Sequence, residues 1–242
     1  TMFAAPWRYA IVAALFTAYF VTMFEGLKTA APVSMSAVFT LNPALSAVFG
    51  YLLLSQVTTL WMAGAIAIGG AGALWVIFDG SPQALAAFDI GRGEAIFFVG
   101  CIAHAVYTPL VPTLNRGERP AVFTFGTLMA GAILLVIVGA PAMVATEWAT
   151  LPAIVWIAIA YTAIAATAST FLLLQYASLR LPSAKVMAYT YLTPSWVILW
   201  EMALGRPLPP ALILVGLGIT MGALALLLKD DSQVRGRVSS EG

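Results

Sequence analysis

His104 is the chain's one histidine. It falls near the middle of an apolar run, 95–113, with Tyr107 beside it and Thr108 one helical turn on, on the same face. An imidazole at that depth can hydrogen-bond a solute or carry a proton; it can equally stay neutral against a neighbouring helix. Two proline sites stand in similar surroundings, FTLNPAL (39–45) and YLTPSW (191–196). Proline has no N–H for the carbonyl four residues back. Pro43 and Pro194 therefore leave the carbonyls of Phe39 and Thr190 without their helical donors. Away from water, another helix, a trapped water or a substrate must supply one. Asn42 and Thr193 place a polar side chain beside each proline. Each site reads either as a packing kink closed locally or as a cavity wall. Lys185, Tyr189, Thr193, Trp196 and Trp200 follow at spacings of 4, 4, 3 and 4, which is one helix face. Its rings could stack on an organic solute or a cation, or pack between helices. The binding candidates are thus Asn42, Pro43, His104, Tyr107, Thr108, Tyr189, Thr193, Pro194 and Trp196.

Other chemistry finds no support. No acid, base and nucleophile converge, so no enzyme is expected. Cys101 is the single cysteine, which rules out an internal disulfide and a cysteine-rich metal site. Asp79, Asp89 and Glu94 share a loop without ligand spacing. No phosphate loop of the Walker type occurs. No metal or cofactor is expected, and a net charge of +1 gives no case for nucleic acid.

The elements that must position these residues follow from composition. Of 242 residues, 62% are hydrophobic and 9% charged, against about 25% charged in soluble domains. Mean hydropathy is +0.97. Most of the outer surface must therefore face a lipid bilayer. A spanning helix needs about 20 apolar residues, and eight runs qualify: 9–27, 32–54, 60–78, 95–113, 121–144, 152–178, 184–204 and 209–228. They lack the period of two of barrel strands. The expected fold is an all-α integral membrane bundle of about eight transmembrane helices. An even number puts both ends on one side. Arg8, Arg116, Arg119, Arg180, Lys185, Lys229, Arg235 and Arg237 share that side, against Lys28, Arg92 and Arg206. The positive-inside rule makes it the cytoplasm and the membrane the inner (plasma) membrane. Trp7, Trp61, Trp75, Trp148 and Trp200 sit near span ends, as interface aromatics do.

The chain also repeats itself. TLNPALSAVFGYLLL (40–54) parallels YLTPSWVILWEMALG (191–205), and GAIAIGGAGAL from Gly64 parallels GLGITMGALAL from Gly216. Looser turns, GLKTAAP and SLRLPSA, precede them. Spans one to three thus correspond to spans six to eight. With spans four and five added to the second copy, the repeat has five helices. An odd repeat inserts its copies upside down, a common construction of secondary transporters, with substrate at the midplane between the copies. The expected organisation is 1–78 as the last three helices of the first repeat, 79–94 as a linking loop, 95–228 as the complete second repeat and 229–242 as a disordered cytoplasmic tail. Two further helices are expected ahead of Thr1. Gly64, Gly70, Gly216 and Gly222 read as close-packing positions. Gly218 and Gly222 form a GxxxG pair, which suits tight packing or a homodimer. Glu25 and Glu201 read as wetted residues near span ends, or as an acidic vestibule.

A small-residue turn before a Pro-centred helix, then a Gly-rich helix after a short loop, all duplicated, resembles the drug/metabolite transporter superfamily, specifically the EamA-type permeases. The likeness runs from about Tyr9 to Leu228. It implies ten helices in two inverted halves, a central cavity, and export or exchange of small metabolites such as amino acids. Repeats of that family often carry a Glu nine residues before the Gly; here those positions hold Ser55 and Pro207. The expected function is a secondary transporter of small organic metabolites, working by alternating access. The alternative is a membrane scaffold or intramembrane enzyme.

Overall fold

The computed structural model describes residues 5–87 and 90–240, with side chains through 228. Asp89 and the tail side chains of Lys229, Arg235 and Arg237 lie outside the described residues. The helices run α1 Trp7–Gly26, α2 Pro32–Phe39, α3 Asn42–Leu54, α4 Leu60–Ile77, α5 Pro82–Ala87, α6 Arg92–Leu114, α7 Pro120–Ala145, α8 Ala153–Tyr161, α9 Thr170–Ser178, α10 Ser183–Met187, α11 Thr193–Ala203 and α12 Ala211–Ser240. No strand interrupts the described residues. The protein is an all-α, polytopic membrane bundle.

Seven segments are long and apolar enough to cross a bilayer, including α2–α3 taken together and the run Ala153–Ser178. The eighth expected span, 184–204, is present but broken into α10, a 3₁₀ turn Ala188–Leu192 and α11. Span six is also irregular, with a π-helical stretch Thr162–Ser169 between α8 and α9. The short α5 was not expected in the 79–94 loop. The backbone of α12 remains helical through the polar segment to Ser240, where the sequence suggested no structure.

Two of the span pairs aligned in the sequence pack against each other. α4 lies along α12, and the indole N–H groups of Trp61 and Trp75 donate to Leu226 O (2.9 Å) and Leu212 O (2.8 Å), pinning both ends of that pair. Gly72 and Gly216 let the two backbones meet: a Cβ on Gly72 would stand 2.8 Å from Gly216 O. The glycines that close-pack are thus Gly69, Gly72 and Gly216. Gly64, Gly70, Gly218 and Gly222 have no such neighbour within 4 Å, which corrects the reading of three of the four repeat glycines and gives the GxxxG pair no packing role among the described residues. The two broken helices also pair, α2 against α11 and α3 against α10, so they run antiparallel with their breaks side by side.

α1 packs along α6 and against α7. Gly26 meets Gly93 at one end of the α1–α6 pair, where a Cβ on Gly26 would be 2.7 Å from Gly93 O. At the other end, the Arg8 guanidinium donates to Leu114 O and to Glu118 Oε1, each at 2.7 Å. Tyr9 OH adds 3.2 Å to the same oxygen, and the Arg116 N–H reaches Oε2 at 2.6 Å. The hydrogen bond from Arg8 holds the Glu118 carboxyl down at about 2. The apolar residues Tyr9, Val12, Tyr107, Val111, Phe123, Phe171 and Met187 fill the interior above this clasp.

Candidate functional site

The two proline breaks are closed locally, by different means. Asn42 Nδ2 donates to Phe39 O at 2.9 Å, the carbonyl that Pro43 cannot reach. In the second break the chain tightens into 3₁₀ geometry, and the backbone N–H of Thr193 donates to Thr190 O. Neither carbonyl therefore waits for a substrate, which corrects the expectation that free backbone oxygens line a pocket. The breaks nonetheless meet: the Phe39 and Tyr189 rings stand 6.3 Å apart.

Beside them lies an aromatic layer around His104. Its ring stacks on Tyr19 at 4.6 Å and lies 5.5, 5.8 and 6.0 Å from Phe39, Phe16 and Tyr107. One turn earlier, Cys101 faces Val38 O at 3.9 Å and lies against the Asn42 side chain. α6 thus descends beside α2–α3 in the same direction, which sets His104 near the depth of Asn42 and Thr108 near that of Ser46. Asn42, Ser46, Cys101, His104, Tyr107 and Thr108 are each at most 2% exposed. Asn42 Oδ1, Ser46 Oγ, His104 Nδ1, Tyr107 OH, Thr108 Oγ1, Thr190 Oγ1 and both polar atoms of Gln175 find no hydrogen-bond partner among the described residues. An orphaned buried polar atom costs about 1–3 kcal/mol, so a concentration of them marks a place where water or a solute belongs.

A groove opens on the other side of Phe16. Its deeper part, 280 Å³, is lined by Phe16, Thr17, Phe20, Thr127, Leu135 and Phe171 among others. Its outer part, 380 Å³, shares Phe20, Leu135 and Thr167 and ends at Glu25 and Lys28. The groove runs between α1 and the π-helical stretch of span six, with α7 as its floor. The groove thus lies between spans one and six, which the sequence alignment sets as counterparts. π-helical turns often mark functional positions, and here Thr162 and Thr167 turn toward the groove. Phe16 touches both compartments: its ring lies 4.3 Å from Phe171 and 5.7 Å from Tyr107.

Of the residues singled out in the sequence, Asn42, Pro43, His104, Tyr107 and Thr108 gather in the buried layer. Pro194 is buried and Thr193 half-buried at the second break. Tyr189 and Trp196 are 46% and 59% exposed, as is Trp200; the 3₁₀ turn interrupts the helix along which their spacing was counted. The sequence reading missed Phe16, Tyr19 and Phe20. A Phe/Tyr run at 16, 19, 20 and 24 in span one was its available signal. Glu25 pairs with Lys28, and Glu201 with Arg206 at 3.7 Å, so neither acid stands as a bare vestibule charge. No metal-binding cluster of acids, His and Cys occurs among the described residues.

Comparison with known proteins places this geometry. The profile described as EamA-like transporter family matches residues 91–228, more than half of the chain. An uncharacterized transporter, YyaM of Bacillus subtilis (strain 168), is 26% identical over 201 residues, 83% of this chain and 66% of the relative's own length. The chain thus spans just under two thirds of that relative. A crystal structure of a protein 17% identical superposes with a TM-score of 0.63, over 92% of this chain and 85% of the other. That last likeness concerns the fold.

Proposed function

Because the chain belongs to the EamA-like transporter family, we propose that it carries small organic metabolites, amino acids among them, across the plasma membrane by alternating access. The direction we favour is export or exchange, with both chain ends cytoplasmic. The observation that carries this reading is the groove between α1 and the π-helical stretch of span six, backed across one phenyl ring by a layer of orphaned polar atoms. The outer part of the groove, 380 Å³, already reaches the small end of the roughly 300–1,000 Å³ typical of ligand sites, which suits a metabolite. The apolar walls give contact area, and Thr17, Thr162 and Thr167 give a few polar contacts. His104, Asn42 and Thr108 sit behind Phe16 and become accessible to a solute when that ring turns. Inverted repeats place substrates between the copies near the midplane, and the 1–78 and 95–228 segments serve as the two rocking halves.

The experiment is counterflow in proteoliposomes, using a panel of labelled amino acids and other small metabolites. Saturable exchange that falls in Phe16→Ala and His104→Ala, at equal membrane yield, supports the assignment. Flux proportional to driving force without saturation replaces the carrier with a channel. Normal exchange in both variants moves the site elsewhere.

A further inference from the structure

The two ends of the α1–α6 pair are built differently. At the Gly26 end the contact is between backbones, Gly26 to Gly93, and Ser34 Oγ donates to Glu94 Oε1 at 2.8 Å nearby. The charged pairs there, Lys28–Glu25 and Arg206–Glu201, stay within their own local segments. At the basic end, Arg8 of α1 is bound to Leu114 and Glu118 of the α6–α7 turn. The Arg8 side chain is 3% exposed and that of Glu118 17%. α1 lies in the first half and α6–α7 in the second, so this ion pair crosses the seam. The groove opens at the other end, beside Phe24, Glu25 and Lys28.

We infer that the Arg8–Glu118 pair is the latch of a gate at the basic end, closed while the groove faces the opposite side and broken when the groove faces the basic side. The inference rests on the transport reading above. Close glycine contact needs no rupture for a small rotation, so the Gly26–Gly93 end serves as the pivot. Ionic and hydrogen-bonded contacts are discrete, made or broken, and so suit a two-state element. Tyr9 OH and the Arg116 N–H hold Glu118 in place for Arg8.

The test is sided labelling of the full chain in oriented proteoliposomes. Leu135→Cys places a thiol on the groove wall; Cys101 is fully buried and remains as an internal silent control. A membrane-impermeant maleimide is applied from each side in turn. Glu118→Gln should raise the basic-side to opposite-side labelling ratio, on the order of tenfold for a typical coupling between states. Tyr9→Phe, which keeps both charges, should raise it less. Ser34→Ala, at the pivot end, should not raise it. If Glu118→Gln misfolds, Tyr9→Phe carries the test alone. An unchanged ratio in folded Glu118→Gln, or in Tyr9→Phe where that variant stands alone, makes the pair a static clamp and overturns the inference. The readout needs no substrate. A changed ratio without solute exchange supports the latch and removes the carrier reading; exchange with an unchanged ratio does the reverse.

Discussion

Asn42 offers a clean test of how the first break is held. Its carboxamide supplies the donor that Pro43 withholds from Phe39 O, at 2.9 Å in a fully buried setting. Asn42→Ala removes that donor and orphans the carbonyl. An orphaned group costs about 1–3 kcal/mol in water-soluble proteins, but hydrogen bonds inside membrane proteins average ~0.6 and reach ~1.7 kcal/mol. The expected loss from the bond is therefore about 1 kcal/mol, beyond whatever the vacated volume costs. Pro43→Ala restores a backbone N–H facing the same carbonyl. In that background the Asn42 side chain is redundant, and Asn42→Ala should cost about 1 kcal/mol less. The volume term appears in both backgrounds and cancels. The assay is a double-mutant cycle of unfolding in mixed micelles with increasing denaturing detergent. Additivity within about 0.3–0.5 kcal/mol would refute the claim that the side chain replaces the missing amide.

Three further outcomes follow from the same geometry. The Glu118 carboxyl sits at about 2, below its reference of 4.5, because Arg8 donates to it; its contribution to stability is complete above about 4.5 and fades as pH falls toward 2, a dependence that Glu118→Gln should abolish in acid-unfolding curves. Gly72→Ala forces a Cβ to 2.8 Å from Gly216 O, whereas Gly64→Ala and Gly70→Ala meet nothing within 4 Å; the first should destabilise by about 1–3 kcal/mol, and the other two should be neutral or gain up to about 1 kcal/mol of helix propensity, read by thermal unfolding. Leu135→Trp fills the groove from its wall and should cut the specificity constant for exchange about tenfold, some 1.4 kcal/mol, while the melting temperature stays put.

The spans were legible because lipid imposes a length and an apolar composition that few soluble segments meet. The breaks were legible too, since Pro43 and Pro194 interrupt otherwise unbroken runs. How each break is closed was not, because the answer depends on local rotamers and turn type: Asn42 bends back onto Phe39, while 188–192 tightens into a 3₁₀ turn. The glycines misled for a related reason. Repeat alignment matched Gly64 to Gly216 and Gly70 to Gly222, but contact depends on which face is packed: Gly72 meets Gly216 of α12, and Gly69 meets the Tyr191 ring. His104 falls at mid-span as expected, yet its ring partners come from three helices, Phe16 and Tyr19 of α1, Phe39 of α2 and Tyr107 of its own α6, which span assignment alone does not bring together. The groove itself depends on the π-helical stretch at 162–169, and TAIAATAS carries no local signal separating π from α geometry.

The unlike closures give the two breaks different mechanical properties. At the first break the donor is a side chain, which a rotamer change can withdraw without unwinding the backbone. At the second break the donor is the Thr193 amide, and releasing Thr190 O requires the 3₁₀ turn to rewind. The hydroxyl of Thr193 plays no part in that bond. Thr193→Val should then leave both stability and exchange near their starting values, whereas Asn42→Leu, of similar size, should lower stability by about 1 kcal/mol and change the exchange rate. Equal behaviour of these two substitutions, in unfolding and in counterflow, would mean that the breaks are mechanically equivalent and that sequence symmetry outweighs the local hydrogen bonding seen here.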